Sequence, residues 1–337
     1  MINIHIEDDN QDAIITSFAE TLNIPIDSKS SNFSKLCFPE SLGNGCIQQH
    51  NYKSGVSVLD VRLKLKEEMS LLFEQGVSHP LKIIINKKAR LKHQFHDNKD
   101  AAYLNEQGSV ALASIAKQNH TIFLPKNQYI SLLSIRIDRK SFESYLENHL
   151  EEMDKNLSTL LRDVNGVNPY FHEGYYNYQT SEILDKYFNS NFSNIVETLY
   201  LEGLTYQLIS LQFEAISTNS KLSDDQKRMS KTLQEKILKA ARIIKSDIAH
   251  FTTVANLSDE INLSVKKTQQ GFNELFGMSV LEYVTNYRVE KTKELLLETD
   301  LTISEISYQL GISSPGYLSK IFKRTVGVSP LEYRKVK

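Results

Sequence analysis

The fold of the C-terminal third follows from residues 302–333, TISEISYQLGISSPGYLSKIFKRTVGVSPLEY. Thr302 can cap a first helix, and Glu305 three residues later completes a capping box. Gly311 can end that helix in the left-handed conformation at little cost. Ser314 can cap a second helix, and the proline after it takes a first position where its missing N–H is harmless. Two short helices joined by a tight turn predict a helix-turn-helix unit.

The same pattern occurs a second time, about 50 residues earlier in the chain. Phe272 matches Phe322, and the motif SVLEY from Ser279 matches SPLEY from Ser329 at the same offset. Several matches at one period indicate duplicated structural units. The two predicted helix-turn-helix units span about 252–276 and about 302–326.

One predicted helix, from Ser279 to Glu298, connects the two units. A helix of about 20 residues is about 30 Å long, and successive major grooves on one face of DNA lie about 34 Å apart. Such a helix can therefore hold two recognition helices in adjacent grooves. The duplication has a physical purpose, because one small unit buries too little surface to specify a site.

The C-terminal motifs resemble the signature of AraC/XylS-type transcription regulators over about residues 231–337. The matching stretches are Ile303–Ser307, Gly311–Ser314, Tyr317–Arg324 and Gly327–Arg334. The resemblance implies a sequence-specific DNA-binding regulator, an activator, whose partners are double-stranded DNA and RNA polymerase. It also implies a cytoplasmic protein without a catalytic residue, cofactor or metal.

The preceding part of the chain is similar to the siderophore-responsive PchR-type branch, through Thr198–Gly203 and Phe272–Gly277. This resemblance implies a small effector bound to the N-terminal part, and a siderophore is the first candidate. The alternatives are a fatty acid, a protein partner, or an enzyme fused to a DNA-binding module. An enzyme is disfavoured, because the N-terminal part shows no paired motif for nucleophilic, metal or phosphate chemistry.

Aligning the two units on Phe272 and Phe322, which are expected to face the core, predicts the outward faces of the recognition helices. The candidate DNA-binding residues are Lys266, Lys267, Gln269, Gln270 and Asn273 in the first unit and Ser314, Gly316, Ser319, Lys320, Lys323 and Arg324 in the second. Glutamine can bond adenine at two points, and lysine suits guanine or phosphate. Because Pro315 and Gly316 offer bases almost no hydrogen bond, we interpret the second unit as mainly a clamp on the DNA backbone. For any single lysine, an ordinary solvated charge is the alternative.

Two residues of the first recognition helix depart from the family pattern. Thr268 stands where a leucine is usual, and Gly271 where a larger residue is common. Glycine costs about 1 kcal/mol relative to alanine inside a helix. These residues predict a looser first helix that contacts DNA more weakly.

The part before residue 141 is predicted to consist mainly of strands, with Val61–Lys66 alternating between apolar and polar residues. Further strands are predicted at Ile83–Ile85, Thr121–Leu124 and Leu133–Ile137. Short strands separated by turn residues suggest a small barrel or sandwich. We predict an α+β chain: a β-rich, barrel-like (cupin-like) ligand-sensing domain at 1–140, a helical dimerisation and coupling segment at 141–220, a linker at 221–230 and the DNA-binding domain at 231–337.

A helix predicted at about 192–216 carries an apolar seam, formed by Leu201, Leu204, Leu208 and Leu211. Two interpretations are open. The seam either packs within its own domain or forms a homodimer, since regulators of this size usually bind DNA as dimers. The polar stretch Thr218–Arg228 that follows is interpreted as a flexible linker, and a Tyr-rich connector is predicted at Tyr170–Tyr178.

The overall charge is unremarkable, with 39 Lys+Arg against 41 Asp+Glu, but its distribution is uneven. From Lys236 onward 15 basic residues face 11 acidic ones, which suits a DNA-binding C-terminal part. No apolar run reaches the roughly 18 residues of a membrane helix, and the acidic N-terminus does not resemble a secretory signal. Cys37 and Cys46 are too few for a disulfide framework, so a reducing compartment is expected. A metal site at His79, His93 and His96 would need further ligands.

Overall fold

The computed structural model describes residues 1–7, 13–30, 32–74, 79–95, 102–113, 118–146, 152–190, 194–220 and 224–335. The chain divides into two compact units, Met1–Ser223 and Asp224–Lys337. We call them the N-terminal and the C-terminal domain. Among the described residues, no helix combines the length and the hydropathy that crossing a bilayer requires.

The N-terminal domain consists mainly of strands. Its first helix, α1 (Ala13–Leu22), lies between the first and the second strand in the chain. The strands are β1 (Ile2–Glu7), β2 (Ser28–Lys29), β3 (Phe33–Cys37), β4 (Gly43–Asn51), β5 (Val56–Leu65), β6 (Met69–Glu74), β7 (Leu81–Lys88), β8 (Leu91–Phe95), β9 (Ala102–Leu104), β10 (Gly108–Ala113), β11 (His120–Leu124), β12 (Tyr129–Ile137) and β13 (Tyr170–Tyr175). The predicted strands at Val61, Ile83, Thr121 and Leu133 lie within β5, β7, β11 and β12.

These strands form two sheets, with the orders β1-β6-β11-β8-β9 and β13-β10-β7-β12-β5-β4-β3-β2. Each order starts and ends on different strands, so neither sheet closes on itself within the described residues. The predicted α+β class is confirmed, whereas the described strands form two open sheets in place of the predicted barrel. Alternation along one strand shows which residues are buried, but not which strand edges pair.

The central part of the eight-stranded sheet is buried on both faces. On one face Val61 and Ile84 pack in a core shared with the five-stranded sheet. On the other face Val58, Ile83 and Ile85 pack in a core shared with helices. Burial on both faces explains the continuous apolar run at 83–85, because a sheet covered on both sides does not need polar alternation.

The helices that the described residues contribute to this second core are α2 (Arg139–Tyr145), α3 (Lys155–Arg162), α4 (Tyr178–Phe188) and α5 (Asn194–Ser220). The predicted leucine seam lies on α5. Leu201 and Leu204 are each 4% exposed and Leu208 is 0% exposed, in the core of their own domain. Leu211 is partly buried against the same core. The seam therefore packs in a core that helices and sheet of its own domain share, in line with the first of the two interpretations.

The Tyr-rich segment predicted as a connector contains strand β13. It pairs antiparallel with β10, so that Tyr170 lies opposite Ala113 and Tyr175 opposite Gly108. The partner strand is distant in sequence, and a local pattern does not reveal such a pairing.

Cys37 and Cys46 are joined by a disulfide, although the sequence analysis expects reduced cysteines. The two residues lie directly opposite each other on the antiparallel strands β3 and β4. The strand register, which the cysteine count alone does not reveal, brings them together.

In the described part of the C-terminal domain, residues 224–335, all regular elements are helical. They are α6 (Asp224–Ser246), a 3₁₀ turn (Ile248–His250), α7 (Val254–Glu260), α8 (Val265–Phe276), α9 (Val280–Glu298), α10 (Ile303–Gln309), α11 (Pro315–Val326) and α12 (Pro330–Arg334). The predicted linker differs from the structure, since α5 continues to Ser220 and α6 begins at Asp224. Polar composition alone does not exclude a helix, because lysine, glutamine and glutamate are good helix formers.

Candidate DNA-binding interface

The first helix-turn-helix consists of α7 and α8, and its helix ends are capped by side chains. The Thr253 hydroxyl accepts a hydrogen bond from the backbone N–H of Asn256, and the Ser264 hydroxyl accepts one from the N–H of Lys267. Gly277 ends α8 with a positive φ of 67°. These caps fix where the first recognition helix, α8, begins and ends.

A buried pair of hydroxyls connects the two helices of this unit. The Ser258 hydroxyl of α7 donates to the Thr268 hydroxyl of α8 at 2.9 Å, and Thr268 donates to the Ser264 carbonyl at 3.1 Å. Thr268 is 0% exposed. The threonine thus replaces the usual leucine with a satisfied polar contact, so it does not loosen the helix as expected from the sequence.

Gly271 has a packing role as well. A Cβ at this position would lie 2.4 Å from Cγ1 of Ile237, on α6. The missing side chain therefore lets α6 pack closely on the recognition helix, and this packing offsets the glycine's low helix propensity.

The second helix-turn-helix consists of α10 and α11 and has the capping pattern predicted from its sequence. Thr302 and Glu305 form a complete capping box. Hydrogen bonds from the backbone and the hydroxyl of Thr302 hold the pKa of Glu305 below its usual value. Gly311 has φ +64°, and a Cβ there would lie 2.1 Å from the Ala249 carbonyl oxygen. Both the backbone conformation and the available space therefore require glycine in this turn.

The connecting helix, α9, starts with a capping box between Ser279 and Glu282. In its middle, Arg288 donates from Nε to the Leu310 carbonyl at 3.0 Å and from Nη2 to the Gly311 carbonyl at 3.1 Å. The same nitrogen lies 3.5 Å from the Ile248 carbonyl, in the 3₁₀ turn before the first unit. The Arg288 side chain therefore connects the turn of the second helix-turn-helix unit to the 3₁₀ turn that precedes the first unit.

The structure exposes most of the predicted DNA-binding residues of the first recognition helix. Lys266, Lys267, Gln270 and Asn273 are exposed. Gln269 is half-buried, and its Oε1 accepts a hydrogen bond from the Val280 N–H at 3.1 Å, at the start of α9. This side-chain oxygen is thus engaged within the protein, unlike that of Gln270.

In the second recognition helix, α11, the predicted residues Gly316, Lys320, Lys323 and Arg324 are exposed, and Ser319 is half-buried. The Ser314 hydroxyl accepts a hydrogen bond from the Tyr317 N–H and so caps the helix. Most of the predicted cations of both helices therefore face solvent.

Tyr317, whose side chain is 51% exposed near the start of α11, is not among the residues predicted to bind DNA. The internal repeat contains a signal for it, since Tyr317 lies 50 residues after Lys267, one of the predicted DNA-binding residues. Arg288 was missed as well. Its role depends on carbonyl groups that only the folded turn brings together.

In the N-terminal domain, buried basic groups form a chain beside a small cavity. Lys82 Nζ lies 3.1 Å from His120 Nε2, and His120 Nδ1 lies 3.2 Å from His93 Nε2. Lysine can only donate, so Nε2 of a neutral His120 accepts and its Nδ1–H donates to His93. Burial, with a smaller contribution from Lys82, lowers the pKa of His93 to about 4.

The cavity beside His93 has a volume of about 20 Å³, which is room for about one water molecule. Among the described residues, no group of three His, Cys, Asp or Glu side chains is arranged to hold a metal ion. The predicted alternative of a metal site included His96, which lies outside the described residues.

Comparison with known proteins places these features in a family. Residues 42–229, more than half of the chain, match the family described as the regulatory protein PchR N-terminal domain, and residues 257–336 match a helix-turn-helix domain. The chain is 30% identical over 97 residues to the uncharacterized HTH-type transcriptional regulator YisR of Bacillus subtilis, over 29% of this chain and 34% of that protein.

The chain is also 23% identical over 159 residues to the arabinose operon regulatory protein of Salmonella typhimurium, over 47% of this chain and 56% of that protein. It thus spans about one third to about one half of the length of these curated relatives. Among solved structures, the C-terminal domain of AraT, a response regulator from Geobacillus stearothermophilus, is 30% identical with a TM-score of 0.29, over 30% of this chain and 85% of that chain. The two family matches show that the chain belongs to the AraC-type helix-turn-helix transcription regulators, with a regulatory N-terminal domain of the PchR type.

Proposed function

We propose that the chain activates transcription by binding DNA with both recognition helices, α8 and α11, in successive major grooves on one face of the duplex. The observation that carries this proposal is the continuous helix, α9, that connects the two helix-turn-helix units. Helix α9 has 19 residues, a length of about 28 Å at 1.5 Å per residue. Arg288, in its middle, is hydrogen-bonded to the turn of the second unit.

The exposed side chains suggest different roles for the two helices. Helix α8 presents Gln270 and Asn273, whose amides can bond the edge of adenine. Helix α11 presents Lys320, Lys323 and Arg324, which suit phosphates, and most protein–DNA hydrogen bonds go to phosphate and sugar. We propose that α8 provides most of the base contacts and α11 most of the backbone contacts.

Fluorescence anisotropy of labelled DNA tests this function directly. The full chain is titrated into a promoter fragment from its own locus and into a shuffled fragment of the same length and composition, at matched salt. A specific regulator binds the promoter at least about 1,000-fold more tightly than nonspecific DNA. Equal affinity for the two fragments, or no binding at low salt, would contradict the proposal.

We further propose that a small effector bound to the N-terminal domain controls this binding, in the cytoplasm and together with RNA polymerase. The support is the match to a regulatory domain family over residues 42–229. A siderophore is the first candidate effector, and a fatty acid or a protein partner is the alternative. A thermal-shift screen of the full chain against these classes distinguishes them, since only a bound effector raises the melting temperature.

A further inference from the structure

A second cavity of the N-terminal domain has a volume of about 440 Å³. Pockets that bind small molecules typically measure about 300–1,000 Å³, so this cleft is large enough, whereas the cavity beside His93 is not. Its lining comes from three neighbouring strands of the eight-stranded sheet. The lining residues include Asn44, Cys46, Gln48, Arg62, Lys64 and Tyr129.

The strand register places these side chains on one face of the sheet. Lys64 of β5 lies opposite both Asn44 of β4 and Tyr129 of β12, and Arg62 lies opposite Cys46. Along β5 this face begins with Val58, which packs in the core shared with the helices. The same face therefore changes along one strand from apolar and covered to charged and open.

The charges that line the cleft are positive. Among the described residues that line it, Arg62 and Lys64 are ionised and none is acidic. The Arg62 guanidinium is held by the buried carboxylate of Asp60, with Nη2–Oδ2 at 2.8 Å, and by the Phe188 carbonyl at 3.1 Å. Burial raises the pKa of Asp60 to about 6, against the lowering effect of Arg62. At neutral pH this carboxylate offsets the charge of Arg62 but leaves that of Lys64.

The remaining lining residues suit an aromatic molecule that carries oxygen atoms. Tyr129 is 47% exposed, and Lys88 Nζ lies 5.5 Å from the centre of its ring, which adds a third cation near the cleft. An aromatic side chain can stack on a planar ligand. The amides of Asn44 and Gln48 can donate hydrogen bonds to ligand oxygens.

We propose that this cleft is the effector site, and that it takes a small anionic molecule with an aromatic body. Lys64 and Arg62 bind the oxyanion, and the ring of Tyr129 contacts the aromatic part. This inference rests on the proposed function in one respect, that the N-terminal domain binds an effector. It adds the place of the site and the chemical class of its ligand.

The test uses 2-naphthoate as the anionic aromatic probe and 2-naphthamide as its neutral counterpart. The chain contains no tryptophan, so the naphthalene emission is free of a strong protein background. Fluorescence anisotropy of each probe is followed during titration with the full-length protein. We expect naphthoate to bind at least 10-fold more tightly than naphthamide. The variants Lys64→Gln and Tyr129→Leu should each weaken naphthoate binding at least 10-fold.

The matched control is Lys92→Gln. Lys92 lies on β8 of the other sheet, with Nζ 4.6 Å from the ring centre of Phe123, so it is also a lysine beside an aromatic ring. This variant should bind naphthoate as the parent protein does. Equal affinity for the two probes, absence of naphthoate binding, or an equal effect of Lys64→Gln and Lys92→Gln would overturn the proposal.

The same protein samples are also titrated into promoter DNA. This second measurement distinguishes a failure of the proposed cleft from a failure of the proposed DNA-binding function. Specific DNA binding without naphthoate binding would refute the cleft and leave the proposed function standing. Naphthoate binding that requires Lys64, without specific DNA binding, would refute the function and support the cleft.

Discussion

Arg288 donates a hydrogen bond from Nε to the carbonyl oxygen of Leu310 at 3.0 Å, and so fastens the turn of the second helix-turn-helix to the middle of α9. The Gly311 carbonyl accepts a further bond from the same guanidinium. A planar group with several donors can hold neighbouring carbonyls at once, whereas an ammonium group binds as a single point charge. The two hydrogen bonds of the Arg288 guanidinium thus fix the position of the second recognition helix relative to the connecting helix.

The first prediction concerns this contact. Arg288→Lys keeps the charge but loses the fork, and we expect the free energy of unfolding to fall by about 1.5–3 kcal/mol, as for hydrogen bonds to charged groups. Urea denaturation measures the change. Lys293→Gln on the same helix removes only a surface ion pair with Glu290 and should cost less than about 1 kcal/mol. Similar losses in the two variants would show that Arg288 is an ordinary surface residue.

The second prediction concerns Gly271. In an exposed helix, Gly→Ala stabilises by about 1 kcal/mol, but here the added Cβ meets Ile237. We therefore expect Gly271→Ala to lower the free energy of unfolding by about 1–3 kcal/mol through overpacking. In the background of Ile237→Ala the same substitution should become neutral or stabilising. If Gly271→Ala stabilises the parent protein, the packing of α6 on this helix does not require glycine at position 271.

A local sequence pattern predicts the helices of this domain but not the contacts of Gly271 and Thr268. Capping residues and turn glycines act over a few residues, so the helices of the second unit are predictable from Thr302, Gly311 and Ser314. The helices of the first unit are predictable from its match to the second. The partners of Thr268 and Gly271 lie on other helices, and those of Arg288 lie in the turn of the second unit. The hydrogen bond of Thr268 to Ser258, the close packing of α6 on Gly271 and the hydrogen bonds of Arg288 therefore appear only in the folded chain.

The N-terminal domain illustrates the same limit more strongly. The apolar periodicity of Leu204 predicts a buried helix face correctly but does not say which surface covers it. In the structure this face lies in a core formed by the sheet and neighbouring helices, so Leu204→Glu would bury a charge in the domain's own core and destabilise the domain. The cleft around Lys64 is likewise invisible in the sequence, because its residues come from three strands that meet only through their register.

The third prediction separates base contacts from backbone contacts. Gln270→Ala should cost about 1–3 kcal/mol on the preferred DNA site and relax the preference at one position. Lys323→Ala should weaken binding to all sequences alike and lower the salt slope by about one. Anisotropy titrations on promoter variants at several salt concentrations measure both effects. If Lys323→Ala alters sequence preference and Gln270→Ala does not, the roles of α8 and α11 are reversed.

The fourth prediction concerns pH. The folded-state pKa of His93, about 4, lies below the ordinary histidine value of 6.5, so its neutral form favours folding. This contribution is fully present above pH 6.5 and is lost as the pH falls towards 4. Between pH 7 and pH 5 it should remove about 2 kcal/mol. The ring faces His120 and Lys82, together with Phe95 and Phe171.

Unfolding of the parent protein and of His93→Gln is compared at pH 7 and at pH 5. Between pH 7 and pH 5 the free energy of unfolding should fall by about 2 kcal/mol less in His93→Gln than in the parent protein. Asp60 titrates alike in both proteins and cancels in the comparison. Identical losses would show that His93 does not contribute to the pH dependence.

The central claim is that two recognition helices, fixed by α9, occupy successive major grooves on one face of DNA. Hydroxyl-radical footprinting of the full chain on its promoter tests it most directly, with a second template in which five base pairs are inserted between the two contacted segments. We predict two protected segments about one helical turn apart on one face of the DNA. On the second template, where one half-site is rotated to the opposite face, one of the two protections should disappear. A single protected segment, or two protections that both survive the insertion, would contradict the account.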